Sequence, residues 1–383
     1  MGEWKECKIS DIAKLSKKSW KVGDEPMSYI GLEHIEEAKL RLNGIGKSED
    51  VASNKFYFQA GDTLFGKLRP YFRKVVKPNF DGICSTDIWV INPQKGIDKD
   101  FLFYFFTNQE LVDISYSSSG GTRMPRADWN FLSQTVWNVP PLEEQKAIAE
   151  VLSSLDDKID LLHRQNKTLE ELAQTLFRQW FIEEARDEWE VTILGNLGKA
   201  VTGKTPSTQN TEFWGDGIYF VTPTDFKYYG KYTTFSDRSL SLLGVEKVKN
   251  SLLPINSILV TCIGSDMGKV AIAQSQCVSN QQINSLIIED SILVEYVYQH
   301  LKYIYPLLRA IAMGGTTMPI INKTDFENIE ITLPTYDLIE KFHEVTSSFN
   351  EKIIQNTNQI KNLKNMRETL LPKLMGGEVR VEW

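Results

Sequence analysis

Two groups of side chains in this sequence have the types and spacing to grip a polyanion. The first is Lys67-Leu68-Arg69-Pro70-Tyr71-Phe72-Arg73-Lys74, joined further on by Arg123 and Arg126. It mixes cations with aromatic rings, the composition of a nucleic-acid surface. Arginine is also the side chain best shaped for the O6/N7 edge of guanine. The alternative for this segment is an ordinary solvated charged strand. The second group is Lys204, Thr205, Ser207 and Thr208, followed by Ser265, Lys269, Gln281, Gln282, Asn322 and Lys323. Glutamine can address adenine through two hydrogen bonds. Gly203-Lys204-Thr205 is no phosphate loop, because the preceding GxxxxG frame is missing.

A loop that occurs twice lies near both groups. It reads Gly120-Gly121-Thr122-Arg123-Met124-Pro125 and again Gly314-Gly315-Thr316-Thr317-Met318-Pro319. The glycines permit a tight backbone path beside a partner, Thr122 and Thr316 offer hydroxyls, and the tip changes from Arg123 to Thr317. A variable tip on a repeated loop suits divergent sequence readout; a structural turn before a helix is the plainer alternative.

The repetition extends through the chain. Val139-Pro140 recurs as Leu333-Pro334, and Trp4 to Ile12 recurs as Trp189 to Leu197, the spacing of a short strand with one buried face. Tyr29-Ile30-Gly31 matches Tyr219-Phe220-Val221, and Cys84 to Ile88 lies near the counterpart of Val278 to Ile283. Short β-rich runs broken by Gly, Pro, Asn and Asp fill both halves, with helical stretches at Phe101–Phe106 and Leu301–Ile311. No strand-GxGxxG-helix unit is present, which argues against a dinucleotide fold.

Each half leads into a long amphipathic stretch. Ile148, Leu152, Leu155, Ile159, Leu162, Asn166, Leu169, Ala173, Leu176 and Trp180 step alternately by four and three, a heptad seam. The second seam is Phe342, Thr346, Phe349, Ile353, Asn356, Ile360, Leu363, Arg367, Leu370 and Leu374. The first stretch would span roughly 60 Å at about 1.5 Å per residue. One apolar stripe on so long a helix needs a partner, and the economical one is the other helix, packed antiparallel. Asn166 is placed either to pair with an amide across the helices and fix register or to face water. Pro372 is expected to kink or end the second helix, Gly376-Gly377 to release the chain, and His163 to face solvent. The fold expected is α+β: two similar mixed α/β domains separated by two long helices forming an antiparallel coiled coil. The boundaries are 1–141 and 185–334 for the domains, 142–184 and 335–377 for the helices, and 378–383 for a tail. Two heads at the ends of a rod would meet duplex DNA about one helical turn, roughly 34 Å, apart; the alternative is that each helix folds onto its own head.

With 383 residues and 42% hydrophobic content the chain has room for two globular domains. It has no run of eighteen apolar residues and no apolar N-terminal signal, so no membrane span and a cytoplasmic location are expected. The net charge of −7 is uneven. Residues 1–140 carry 19 basic and 18 acidic residues, 141–188 carry 6 and 12, 189–334 carry 11 and 13, and 335–383 carry 7 and 7. The excess acid sits in the first helical segment, and the near-neutral heads would attract DNA weakly without a basic patch or partner subunits. Cys7, Cys84, Cys262 and Cys277 form no CxxC pair and are read as free thiols. His34, His163, His300 and His343 are scattered, and Asn138-Val139-Pro140-Pro141-Leu142 departs from the motif of an adenine amino-methyltransferase. No catalytic residue, metal or cofactor is assigned.

These strings together resemble the specificity subunits of type I restriction-modification systems. The resemblance covers essentially the whole chain. It rests on Trp4 to Ile12, Gly61-Asp62, Gly120 to Pro125, Val139 to Ile148 with its Pro-Pro-Leu-Glu-Glu-Gln core, Thr202 to Ser207, Phe213-Trp214-Gly215 and Phe220 to Pro223. The second helix start, Pro334-Thr335-Tyr336-Asp337, lacks the Glu-Glu-Gln. The resemblance implies a non-catalytic subunit in which each domain reads half of a bipartite double-stranded DNA target and the helices measure the gap. Two modification subunits would supply S-adenosylmethionine-dependent adenine N6 methylation, and restriction subunits would add translocation and cleavage. The alternatives are a recognition subunit of another methyltransferase or restriction assembly, and a two-headed coiled-coil scaffold that binds no DNA.

Overall fold

The computed structural model describes residues 2–117, 124–264, 267–313 and 320–382. The chain forms two compact units, Met1–Ile159 with Lys361–Trp383, and Asp160–Ile360. Each contains one β-rich domain and part of both long helices, Leu142–Arg178 and Tyr336–Met375.

In the first unit, strand Lys5–Lys8 pairs antiparallel with Val136–Val139, Lys5 opposite Val139. A single helical turn, Ile9–Ile12, then buries Ile9 and Ile12. A four-stranded sheet follows in the order Ala13–Ser16, Ile88–Pro93, Thr63–Gly66, Val75–Val76. A second sheet has five strands: Ser19–Trp20, Lys55–Phe58, Gly82–Cys84, Ser28–Ile30 and Gly46–Lys47. The helix Lys99–Thr107 starts where the Asp98 carboxylate accepts from the Asp100 and Phe101 amides. From Phe101 onward it is buried on every side because it is covered twice. Phe106 meets Phe65 of the sheet at 6.1 Å, and Tyr104 donates its hydroxyl to Asp156 of the first long helix at 2.9 Å.

The second unit repeats this order. Glu190–Ile193 pairs with Glu330–Leu333, Glu190 opposite Leu333, and a single turn Leu194–Leu197 follows. One sheet runs Lys199–Thr202, Ile283–Ile287, Ile258–Thr261, Val270–Ala273, Tyr232–Thr233; the other runs Ser239–Leu240, Trp214–Val221, Cys277–Ser279, Leu252–Leu253. The matched strings recur in matched registers. Tyr29 lies parallel to Ile83 in one domain, and Tyr219 lies parallel to Cys277 in the other. The repeat is therefore one of topology, and the expectation of mixed α+β domains holds.

The heptad seams face inward along most of their length; near the helix ends the buried face shifts by one residue, to Phe177 and Phe181 beside half-buried Leu176 and Trp180 and to Leu371 beside half-buried Leu370. In the first unit Ile148, Leu152 and Ile159 are buried and Leu155 is half-buried; Ile148 and Leu152 share a core with Leu371, Leu374 and Met375, while Leu363 and Leu370 are half-buried. In the second, Leu162, Ala173, Phe342, Thr346, Ile353, Asn356 and Ile360 are buried, and Leu169, Leu176, Trp180 and Phe349 are half-buried. Each buried aliphatic side chain contributes about 1.5–3 kcal/mol. The helices run antiparallel within both units: Arg367 meets Asp156 in the first, and Asn356 meets Asn166 in the second. Pro372 does not end the second helix, which continues to Met375; the Gly376 amide bonds the Pro372 carbonyl, and Gly377 turns the chain with φ of +73°. The first helix adds a π-helical turn, Gln179–Glu183, after Arg178. His163, expected to face solvent, is half-buried.

Candidate nucleic-acid interface

In the first domain the backbone assembles part of the expected cluster. Leu68 bridges antiparallel to Arg126, the Arg69 amide donates to the Pro125 carbonyl, and the Ala127 amide donates to the Lys67 carbonyl. Lys67, Arg69 and Arg126 therefore share one surface. Arg126 is 53% exposed and lies 3.1 Å from Asp87. Such an exposed pair is worth little and is easily exchanged for a phosphate.

Two other candidates turn inward. The Arg73 side chain is 9% exposed; its guanidinium grips both carboxylate oxygens of Glu368 at 2.9 and 3.0 Å and donates to Gln109. Burial pushes the Glu368 carboxyl up, but Arg73 and Arg367 outweigh it and hold it below the usual range. Lys74 donates to the Leu32 carbonyl at 2.8 Å. The sequence shows a run of cations, whereas beyond the turn at 70–72 the last two, Arg73 and Lys74, are engaged within the protein and are not offered to a ligand as Lys67 and Arg69 are. Thr122 and Arg123 lie outside the described residues.

In the second domain Thr205 donates to Gln281 Oε1 at 2.7 Å, joining two segments singled out separately in the sequence. Lys204, Ser207, Thr208 and Gln281 are exposed there. Gly203 allows this approach, because a Cβ on it would fall 2.1 Å from the Asn280 carbonyl oxygen. Gln282 exchanges hydrogen bonds with Asn280, so its amide is partly committed. Lys269 is half-buried beside a cavity of about 360 Å³ lined by Phe226, Tyr229, Lys302 and Tyr305. Asn322 is a helix cap, accepting from the Asp325 amide at 2.9 Å and donating to the Asp325 carboxylate; Lys323 pairs with Glu327 one turn on at 3.4 Å. Asn322 and Lys323 thus serve the helix Lys323–Glu327, and neither is held out as a base reader. Ser265, Thr316 and Thr317 lie outside the described residues. Ile263 bridges Ile320 as Leu68 bridges Arg126, so both domains build the same edge and dress it differently.

Polar networks that no sequence pattern announces tie each domain to the long helices. In the first unit Asp156 accepts from Tyr104 and Arg367, and Arg367 also bonds Glu368. In the second unit Lys231 and Glu295 form a buried ion pair, completed by Asn350 and Gln299. Burial raises the Glu295 carboxyl, but Lys231 and the two amides outweigh it and keep it ionised. Tyr298 donates to Glu170 at 2.8 Å. Arg367, the one charged residue on its seam, was the signal available. The Glu-Glu-Gln motif has a structural role as well: fully buried Glu144 accepts from Trp4 Nε1 and from Arg380, and Gln145 bridges the Asp98 amide and the Pro140 carbonyl. Where the second copy lacks it, Tyr336 donates to the capping Asp290.

The four cysteines are free. Burial pushes the thiols of Cys84 and Cys277 up to about 12 and that of Cys262 to about 11, which keeps them protonated. Among the described residues no cluster of His, Cys, Asp and Glu could hold a metal, and no helix is long and apolar enough to cross a membrane.

The paired two-domain fold, the antiparallel helices and a repeated edge carrying Lys, Arg, Thr and Gln define a class of modular DNA-recognition proteins. The chain belongs to the type I restriction modification DNA specificity domain family, whose profile matches residues 1–171 and 186–365. It is 27% identical to the type I restriction enzyme HindI specificity subunit of Haemophilus influenzae, over 99% of this chain and 100% of that one. It is 32% identical to the MjaIX specificity subunit of Methanocaldococcus jannaschii, over 76% of this chain and 72% of that one. A type I restriction-modification S subunit from M. genitalium has the same fold, with a TM-score of 0.59 at 15% identity over 97% and 96% of the two chains. The chain is thus a specificity subunit that recognises DNA for a type I restriction-modification complex and does no chemistry itself.

Proposed function

We propose that the chain reads a bipartite duplex target, one half through residues 1–141 and the other through residues 185–334. The helical stretches 142–184 and 335–377 set the gap, and residues 378–383 form a tail. The observation that carries this reading is the repeated edge: the bridge Leu68–Arg126 is flanked by cations, and its counterpart Ile263–Ile320 stands in a domain offering Lys204, Thr205 and Gln281. One scaffold with unlike polar groups suits two half-targets of unlike sequence. Lys67, Arg69, Arg126, Lys204, Ser207, Thr208, Lys269 and Gln282 are further candidates for contact with phosphates and bases, as are Thr122, Arg123, Ser265, Thr316 and Thr317 on sequence grounds. Two modification subunits would bring S-adenosylmethionine-dependent adenine N6 methylation, and restriction subunits would bring translocation and cleavage, in the cytoplasm. The acidic surface of the first helix would serve protein partners, since like charge repels DNA.

The test is to map methylated adenines in cells expressing this chain with its modification partner. Two short motifs at a fixed gap are expected. Exchange of residues 1–141 for those of a related subunit should change one motif only; a continuous motif, or change in both halves, would overturn the reading.

A further inference from the structure

Tyr71 is 46% exposed, although its mount is among the most constrained parts of the first domain. It sits on the turn Pro70–Phe72, where proline fixes one dihedral. The residues on either side, Arg69 and Arg73, have φ of +51° and +50°, a left-handed conformation that is costly for anything but glycine and persists only where the surroundings enforce it. The enforcement is visible. The Phe72 amide bonds the Arg69 carbonyl, the Arg73 amide bonds the Pro70 carbonyl, and the Arg73 guanidinium is anchored on Glu368 and Gln109. Tyr116, itself 48% exposed, meets the Tyr71 ring edge-on at 5.4 Å. Arg69 and exposed Arg126 lie on the same edge, the first bonded to the Pro125 carbonyl, and Met124 beside them is 57% exposed. An aromatic ring held on a constrained turn, on the edge that carries Arg69 and Arg126, costs little entropy to bind with and has cations near it for the phosphates.

We infer that Tyr71 is a stacking wedge, whose ring enters a base step of the half-target read by the first domain, braced by Tyr116, with Arg69 and Arg126 on the neighbouring phosphates. The inference rests on the DNA-reading role proposed above. Rings and apolar side chains inserted this way unstack a step and make its sequence-dependent stiffness part of the recognition. The matched bonds Gly66–Lys74 and Thr261–Lys269 set the repeat spacing of this edge at 195 residues, which makes Asp266 the counterpart of Tyr71, and at the 194 spacing of the Gly-Gly-Thr loops the counterpart of Tyr116 is Ala310. The wedge therefore belongs to one half-target only.

The experiment uses the assembled methyltransferase complex and a duplex carrying the mapped target. 2-Aminopurine replaces in turn each adenine on either strand of both halves and of the base pairs next to them, except the methylated adenines, where extrusion for methylation would itself raise fluorescence. A rise at a single step in the first domain's half is expected. Tyr71→Ala should abolish it and weaken binding roughly 10- to 100-fold, whereas Tyr71→Phe should keep both. Unchanged fluorescence and affinity in Tyr71→Ala would overturn the wedge, as would loss of affinity when no step responds in the wild-type complex. Failure of the wild-type complex to bind its mapped target would instead overturn the DNA-reading role itself.

Discussion

Asn356 donates its amide to Asn166 Oδ1 at 2.9 Å, one residue from each long helix, inside the second unit. The two asparagines occupy unequal places in the two sequence copies, so a parallel alignment of the seams leaves them unmatched. Antiparallel packing brings them together, because residues then meet at a constant sum of positions. Asn356 is 1% exposed, and its carbonyl oxygen is buried without a donor among the described residues. The pair is held at a cost in stability, the usual signature of a polar seam residue that fixes register.

Asn166→Leu alone leaves the buried Asn356 amide with only its longer bond to Gln165 at 3.4 Å and should lower stability by about 1–3 kcal/mol. Asn166→Leu with Asn356→Leu removes both polar groups and should restore or exceed the wild-type melting temperature. A thermal-unfolding double-mutant cycle measures this. Additive effects of the two substitutions would show that the amides do not interact.

Arg73 and Arg126, both arginines of the cationic run and its neighbour, should behave oppositely. Arg73→Ala breaks a partly buried pair with Glu368, whose side chain is 41% exposed, and should cost about 1–2 kcal/mol of stability. Arg126→Ala should leave the melting temperature within a degree or so of wild type and reduce the salt slope of DNA binding by about 1. Denaturant titration and binding at several salt concentrations separate the two; equal salt slopes in Arg126→Ala and wild type would remove it from the interface.

The sequence made the periodic features legible. Trp4 to Ile12 and its copy marked the strand and turn that open each domain, and the alternate steps of four and three placed the inward faces of both helices. Local pattern could not tell which polar side chains turn inward. Arg73 and Lys74 read as one cationic surface with Lys67 and Arg69, yet a left-handed residue at Arg73 redirects the chain toward Glu368. Asn322 offered an amide for a base, while the helix start beside it had the prior claim. Lys231 and Glu295 are 64 residues apart, so nothing in the neighbourhood of either announces the pair. Contacts closed by tertiary structure leave no periodic trace.

His300 has its pKa lowered to about 4 by burial, partly offset by its contact with the Glu330 carbonyl. The unfolded chain takes up this proton near pH 6.5, while the folded chain resists until about pH 4. The group therefore contributes no pH dependence above about 6.5, and stability falls steadily on its account as pH drops from there to about 4. His300→Gln should flatten the melting-temperature profile across that window. An identical profile in the variant would assign the acid sensitivity to other groups.

The gap between half-targets should follow helix length. Because Asn166 and Asn356 lock the antiparallel register, an insertion in one helix alone would misalign the pair and should destabilise the protein. Seven residues inserted in both helices, placed symmetrically about that pair, keep the seam in phase because the heptad closes after two turns. They lengthen the paired stretch by about 10 Å at roughly 1.5 Å per residue, close to three base pairs at about 3.4 Å each. The matched double insertion should fold and methylate targets whose gap is about three base pairs longer, with both half-sequences unchanged. Methylation mapping of that variant decides the matter: a folded protein that keeps the original gap would mean that the spacing is set by the partner subunits and not by these helices.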